Sequence, residues 1–96
     1  MEKFETTNSY NGANFVAENG ACRASGDFRF NDGKLAKVNI NGSLTKEGTT
    51  HAFSANRDDQ GNVNIYNVHD YRVIKDVATE VAGIIESIEE LNTAAD

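Results

Sequence analysis

One stretch of the sequence decides the fold: residues 70–92 read DYRVIKDVATEVAGIIESIEELN. Its apolar residues recur at alternating intervals of three and four, which places them on one side of a helix with 3.6 residues per turn. They are Ile74, Val77, Val81, Ile84, Ile88 and Leu91, and Ala78 and Ile85 widen the stripe. Because the other side is polar and charged, the pattern predicts an amphipathic helix, N-capped by Asp70, that lies on an apolar surface.

Residues 21–68 supply that surface as a series of strands. Apolar or small residues alternate with polar ones through this segment, which is typical of strands with one buried face. The predicted inward residues are Cys22, Ala24, Gly26, Phe28 and Phe30, then Ala36, Val38, Ile40, Gly42 and Leu44, then His51, Phe53 and Ala55, and finally Val63 and Ile65. Arg57 to Asn62 is expected to be a polar loop.

Strand parity predicts how these strands pair, because a slip of one residue would turn every side chain to the other face. It favours a three-residue loop ending at Gly33 in the first hairpin and the two-residue loop Glu47-Gly48 in the second. The second register sets an aromatic ring over a strand glycine, which compensates for the missing side chain. The expected pairs are Phe28 with Ala36, Gly26 with Val38 and Ala24 with Ile40, then Phe53 with Gly42 and Ala55 with Ile40, then Val63 with Ala55 and Ile65 with Phe53.

The first twenty residues carry weaker signals. Phe4 lies in a short strand-like run, a turn is expected at Tyr10-Asn11-Gly12-Ala13, and residues 14–18 resemble a returning strand. The chain is therefore expected to be a single domain, 1–96, with an N-terminal hairpin at 1–20, a β-meander at 21–68 and a C-terminal helix at 70–92. The predicted fold class is α+β, an antiparallel meander of four to five strands with one C-terminal amphipathic helix packed on one face.

Length and cysteine content narrow the broad class. Ninety-six residues permit one small core. The sequence has no apolar run long enough for a secretory signal or a membrane span, and its single cysteine, Cys22, rules out an internal disulfide framework. These features favour a cytoplasmic protein without a membrane partner.

The net charge of −6 lies entirely in the C-terminal segment. Residues 1–75 hold nine charges of each sign, whereas the remainder holds six acidic residues and no lysine or arginine: Asp76, Glu80, Glu86, Glu89, Glu90 and Asp96. Such a field opposes direct nucleic-acid binding, because phosphates need a basic footprint. Glu86 and Glu90 form a like-charge i,i+4 pair near the negative end of the helix dipole, and each unfavourable contribution costs about 0.2–0.5 kcal/mol.

The spacing of the histidines and the cysteine does not indicate a metal site or a catalytic site. Cys22, His51 and His69 match no metal-ligand pattern, and no nucleophile-base pair or glycine-rich phosphate loop is present. His51 is interpreted as a core-edge imidazole and Cys22 as a small buried hydrophobe. The sequence therefore predicts no enzyme activity, no cofactor and no metal.

The segment from Asn56 to Gly61 superficially matches the first half of a calcium loop. Its twelfth position is Asn67, where a calcium loop needs a bidentate glutamate. The flanking residues also resemble strands, so a polar hairpin loop is the better interpretation.

The charge asymmetry favours a small non-catalytic protein-binding module or inhibitor. Its acidic helix would occupy a basic surface of another protein, such as one that binds nucleic acid, and the predicted partner-binding residues are Asp76, Glu80, Glu86, Glu89 and Glu90. A plain solubilising face is the simplest alternative. Another is a small-ligand-binding or structural domain. At the small inward residues Gly26, Gly42, Ala24 and Ala36 either the helix packs close to the sheet or a pocket remains under it. The heptad-like helix stripe also makes a homodimer a candidate.

In size and charge the chain is similar to small acidic inhibitors encoded by phages and mobile elements, among them anti-CRISPR and anti-restriction proteins. The likeness is one of composition, without matching residues. It implies an anti-defence inhibitor that acts as a nucleic-acid mimic.

Overall fold

The computed structural model describes residues 3–7 and 12–94. Six strands form one antiparallel sheet in chain order, and a single long helix covers one face, so the predicted α+β class is confirmed. The strands are β1 (Lys3–Thr7), β2 (Gly12–Asn19), β3 (Cys22–Asn31), β4 (Lys34–Lys46), β5 (Thr49–Arg57) and β6 (Val63–Tyr66), followed by a 3₁₀ turn (Tyr71–Val73) and α1 (Ile74–Ala94). The count is six strands rather than four to five, because the N-terminal segment adds two strands to the sheet.

The N-terminal strands are part of the same core. β1 pairs with β2, which pairs in turn with β3, and Phe15 is among the largest fully buried side chains. The inward residues of β2 next to it are Ala13 and Ala17, and two alanines explain why the alternation is faint in the sequence. Of the turn expected at residues 10–13, positions 10 and 11 lie outside the described residues.

The first predicted register is wrong by two positions. β3 and β4 are joined by the two-residue turn Asp32-Gly33, with positive φ at both residues, which is the pattern of a I′ turn. The register then shifts between Arg29 and Phe30, which leaves Ala36 as the extra residue of a bulge. The observed pairs are Phe28 with Val38, Gly26 with Ile40 and Ala24 with Gly42. The physical reason is that a two-residue turn alone would pair inward residues of β3 with outward residues of β4. The extra residue of the bulge corrects this mismatch, so that Phe28 and Val38 both face the core.

The same bulge buries a leucine that the prediction had left outside. Leu35 pairs with Phe30 and is 8% exposed, so it lies on the inner side of the sheet. Burying a leucine side chain stabilises the fold by roughly 1.5–3 kcal/mol, which favours the bulge over a regular ladder.

The second predicted register is confirmed. Phe53 pairs with Gly42 and Ala55 with Ile40 across the turn Glu47-Gly48. A Cβ atom added to Gly42 would lie 2.6 Å from Cζ of Phe53, so the ring covers the glycine closely. The aromatic side chain therefore fills the space that glycine leaves on the inner face.

The third predicted register is also shifted by two positions. Ile65 pairs with Ala55 and Val63 with Arg57, which leaves Val63 46% exposed instead of inward. The cause is the longer reach of β5, which continues to Arg57 before the chain turns. The loop that follows is held by the Asp58 carboxylate, whose Oδ1 accepts hydrogen bonds from the backbone N–H groups of residues 60 and 62.

The helix starts through one 3₁₀ turn. Asp70 caps that turn as predicted, and its Oδ1 accepts a hydrogen bond from the Arg72 backbone N–H at 3.0 Å. Val73, four residues before Val77 and therefore on the same side of the helix, takes the inward place predicted for Ile74, which is 47% exposed. Ala78 is exposed as well, contrary to prediction. The buried stripe is Val73, Val77, Val81, Ile84, Ile85 and Ile88.

The core lies between this stripe and the inner side of the sheet. Phe28 and Phe53 are both buried in it, as the inward pattern predicted. Aromatic contacts extend the core towards the N-terminal strands, with ring centroids 5.6 Å apart for Phe4 and Phe15 and 6.4 Å apart for Phe15 and Phe28. Among the described residues no helix is long and apolar enough to traverse a bilayer.

Candidate functional site

The five acidic residues predicted to bind a partner are spread around α1. Rotation by about 100° per residue separates them into two flanks and an outward side. Asp76 and Glu80 lie on one flank, Glu89 lies on the other, and Glu86 and Glu90 face away from the buried stripe. The structure therefore does not gather them into one continuous patch.

Three of the five carboxylates, those of Asp76, Glu80 and Glu89, have partners on the sheet. Lys46 Nζ lies 2.8 Å from Asp76 Oδ2, and the Asn19 amide donates to Glu80 Oε1 at 2.8 Å. Each of these contacts ties the helix to a strand that is distant in sequence. Because Asp76 and Glu80 already form an ion pair and a hydrogen bond within the molecule, they are less available to a partner than the sequence indicates.

Arg57 is a residue of this surface that the sequence analysis missed. It was placed in a polar loop, but it is the last residue of β5 and its side chain is only 17% exposed. Its Nη1 donates to the Leu35 carbonyl at 3.1 Å, and its Nη2 lies 3.7 Å from Glu89 Oε1. Strand parity carried the signal, because Arg57 has the same inward parity as Phe53 and Ala55.

Glu86 and Glu90 differ from Asp76, Glu80 and Glu89 in having no partner on the sheet among the described residues. Both are exposed, and neither has a hydrogen-bond or ion-pair partner within the described ranges 3–7 and 12–94. The last turn of α1 has no basic residue. The nearest basic residue along the helix is Lys75, which lies eleven positions and about 16 Å before Glu86. The like-charge pair at the negative end of the helix dipole therefore remains uncompensated.

The cap at the other end of the helix carries a strong charge-assisted contact. Arg72 Nε and Nη2 donate to the two oxygens of Asp70 at 3.0 and 2.8 Å. This side-chain hydrogen bonding, together with the backbone N–H of Arg72, lowers the pKa of Asp70 to about 2. The ionised carboxylate is thus the form that the folded chain prefers.

The pKa of Asp70 predicts a pH dependence of stability. Because this pKa is lower in the folded than in the unfolded chain, the carboxylate stabilises the fold above about pH 4 and loses that effect as the pH falls towards about 2. Asp70→Asn keeps a capping oxygen and removes the charge. In urea unfolding, the wild type is expected to be more stable than this variant near pH 6 and equally stable near pH 2. A difference that stays constant over this range would contradict the assignment.

A polar pocket of about 400 Å³ lies between the β4–β5 turn and the start of the helix. Its lining includes Lys46, His51 and Arg72, together with the carboxylates of Glu47 and Asp70. Two of these charges are already paired, Lys46 with Asp76 and Arg72 with Asp70. Opposite charges line the pocket, so it is no simple anion site.

The residues weighed for metal binding are placed apart or used structurally. In the described part of the chain no three histidine, cysteine, aspartate or glutamate side chains form a group that could hold a metal ion. The Asp58 carboxylate of the calcium-like segment is occupied by donors from its own loop, and Asn62 donates to its Oδ2 at 3.0 Å. Cys22 is buried, and burial, with a smaller contribution from Glu80, raises its pKa to about 11. A neutral thiol is a poor nucleophile.

The small-ligand alternative depends on a pocket at the small inward residues. At Gly26 and Gly42 the structure leaves no such pocket. A Cβ added to Gly26 would lie 3.0 Å from Cε1 of Phe15, and Gly42 is covered by Phe53. Aromatic rings thus occupy both gaps. The helix stripe is buried against the sheet, so a homodimer through that stripe would have to displace the core.

Comparison with known proteins finds no relative. No protein-family model, curated protein or solved structure matches the chain. The features that bear on function are therefore those of this chain alone: a six-stranded meander, one covering helix, and an outward helix face with two unpaired glutamates.

Proposed function

We propose that the protein is a small, non-catalytic binding module that presents the outward face of α1 to a basic surface of another protein. The observation that carries the proposal is the unpaired state of Glu86 and Glu90. Three other helix carboxylates have partners in the fold, whereas these two destabilise the helix end and have no compensating contact with any residue that the structure describes. A basic partner surface would supply that compensation. Asp76, Glu80 and Glu89 then serve mainly to fix the helix on the sheet.

The likeness in size and charge to phage-encoded inhibitors suggests the form that this function takes. Two exposed carboxylates on a rigid helix would occupy a surface that otherwise binds phosphates, and so would inhibit a nucleic-acid-binding protein. The single cysteine fits a reducing compartment, so we place this activity in the cytoplasm. Nucleic acid itself is not the expected partner, because like charges repel.

A capture experiment tests the proposal. The wild type, Glu86→Gln/Glu90→Gln and the charge-matched control Asp32→Asn/Asp59→Asn would be immobilised in parallel, and bound proteins identified by mass spectrometry. Asp32 and Asp59 are exposed and lie in the β3–β4 turn and the β5–β6 loop, not on α1. We expect at least one basic protein to bind the wild type and the control but not the helix variant. An identical set of proteins on all three would contradict the proposal.

A further inference from the structure

The first half of β5 has a neighbouring strand on one side only. β5 spans nine residues, Thr49–Arg57, and pairs with β4 along its whole length. β6 is four residues long and covers only Ser54–Arg57. The other edge of residues 49–53 therefore meets no strand in the described part of the chain.

The pairing with β4 shows which backbone groups face this open edge. Lys46 and Thr49 close a two-residue turn, so they form a hydrogen-bonded pair, and such pairs recur at every second residue. The peptide groups of Thr49, His51 and Phe53 thus point to β4. Those of Thr50 and Ala52 point the other way, and no turn or loop backbone among the described residues hydrogen-bonds to them.

This edge lacks the usual protection of strand edges. Natural sheets protect a free edge with proline, lysine, a bulge or a covering segment. Residues 49–53 read TTHAF, with no charged residue and no proline, and Thr50 and Ala52 are both exposed. Two free N–H and two free C=O groups in an extended arrangement are what another strand needs for pairing.

The pocket of about 400 Å³ described above borders the same stretch, since Thr49 and His51 line it. Its two cations are paired, Lys46 with Asp76 and Arg72 with Asp70. Glu47 also lines the pocket; it attracts Lys46 but forms no ion pair with it or with any other described residue. The carboxylates of Glu47, Asp70 and Asp76 therefore outnumber the two cations by one, and this excess negative charge lies beside the open edge.

We propose that the Thr49–Phe53 edge of β5 accepts an extended segment of another protein as an additional strand, with a lysine or arginine of that segment in the pocket beside Glu47. Hydrogen bonds to Thr50 and Ala52 fix its backbone, and the charge of Glu47 selects its side chain. This surface lies near the start of α1, far along the chain from Glu86 and Glu90, so it does not depend on the function proposed for the helix face.

A second copy of the chain fits this edge less well. Residues 49–53 contain no lysine or arginine, so pairing two copies through this stretch would bring no cation to either Glu47 carboxylate. Five paired residues also bury far less than the roughly 800 Å² per partner of a standard stable interface. A short segment of a different protein, bound transiently, suits such a small contact.

Hydrogen exchange in the free protein tests the premise. The amides of Thr50 and Ala52 are expected to exchange about as fast as unprotected amides, while those of His51 and Phe53 are protected by β4. Equal protection of all four amides would show that the edge is already covered, and would overturn the proposal.

Binding is tested with capped pentapeptides of sequence Val-Thr-X-Thr-Val, where X is lysine, glutamine or glutamate, followed by NMR of the labelled protein. We expect saturable shifts at the Thr50 and Ala52 amides, and about fivefold tighter binding of the lysine peptide than of the glutamate peptide. N-methylation of alternate peptide nitrogens should abolish binding. Absence of binding by every peptide up to millimolar concentration, or equal binding of the N-methylated peptide, would overturn the proposal.

Two variants separate the contribution of the backbone hydrogen bonds to binding from the contribution of the Glu47 charge. Ala52→Pro removes an N–H that faces the open edge, which an edge strand tolerates, and should eliminate binding of all three peptides. Glu47→Gln should make the binding affinities of the lysine and glutamate peptides equal, and should leave the affinity of the glutamine peptide unchanged. Thr50→Pro repeats the first test if Ala52→Pro proves unfolded by NMR. Wild-type binding by a folded proline variant, or a dimer formed through this edge in sedimentation, would contradict the assignment.

Discussion

Phe53→Ala is expected to lower the free energy of unfolding by about 3–5 kcal/mol. The side chain is 2% exposed, lies in the core and covers Gly42, so its removal leaves a cavity that neighbouring backbone cannot fill. A domain of this size has about 5–10 kcal/mol of total stability. A substantial part of the variant population should therefore be unfolded, and urea denaturation followed by circular dichroism measures the loss.

Lys37→Ala is the control for this loss. Lys37 lies on the solvent side of β4 and is exposed, so its replacement should cost less than about 0.5 kcal/mol. If Phe53→Ala proves as harmless as Lys37→Ala, then Ala52 and Ser54 face inward instead. The register of the second hairpin would then be wrong by one residue.

Gly26→Ala is expected to be the second most damaging change, at about 3 kcal/mol. A Cβ atom at this position would collide with the backbone carbonyl of Asn39 on β4 and would also lie 3.0 Å from Cε1 of Phe15. The ring can shift, but the carbonyl belongs to the ladder between β3 and β4, so the strands must separate. Thermal and urea unfolding measure the cost.

The adjacent residue Ser25 offers a matched control. It lies on the same strand with its side chain exposed on the other face, so Ser25→Ala should change stability by less than about 0.5 kcal/mol. Equal stability of the two variants would show that β3 and β4 are farther apart at Gly26 than the structure has them.

The inward faces of the central strands could be predicted because their alternation is regular and parity allows only one choice. Parity cannot distinguish registers that differ by two positions, since both bury the same side chains. That is why Phe28 was placed opposite Ala36 and not Val38, and why Val63 was placed opposite Ala55 and not Arg57. The bulge at Ala36 keeps the inward pattern from Val38 onward but turns Leu35 inward, and it has no separate sequence signal.

The helix start was misplaced for a related reason. Val73 and Ile74 precede Val77 by four and three residues, and both spacings place a side chain on the same side of a helix. Periodicity therefore could not choose between them, and the structure buries Val73 and exposes Ile74. From Val77 onward periodicity predicted the buried residues correctly, apart from Ala78, which is exposed.

The candidate site could be predicted only in part. The run of acidic residues is visible in the sequence, but their partners come from strands that are distant along the chain. Asn19 reaches Glu80 across 61 positions, and Arg57 reaches Glu89 from the end of β5. The local sequence shows an acidic helix. Only the tertiary packing shows that, of the five predicted residues, Glu86 and Glu90 are the two without a partner among the described residues.

The most direct test of the proposed helix surface is the association rate of a captured basic partner, measured at salt concentrations from about 50 to about 500 mM. For the wild type, the rate is expected to fall by an order of magnitude or more, because screening removes the attraction that steers the encounter. Glu86→Gln/Glu90→Gln should bind more slowly at low salt and show a weaker salt dependence, while Asp32→Asn/Asp59→Asn should follow the wild type. An association rate that ignores salt and is unchanged in the helix variant would contradict the account.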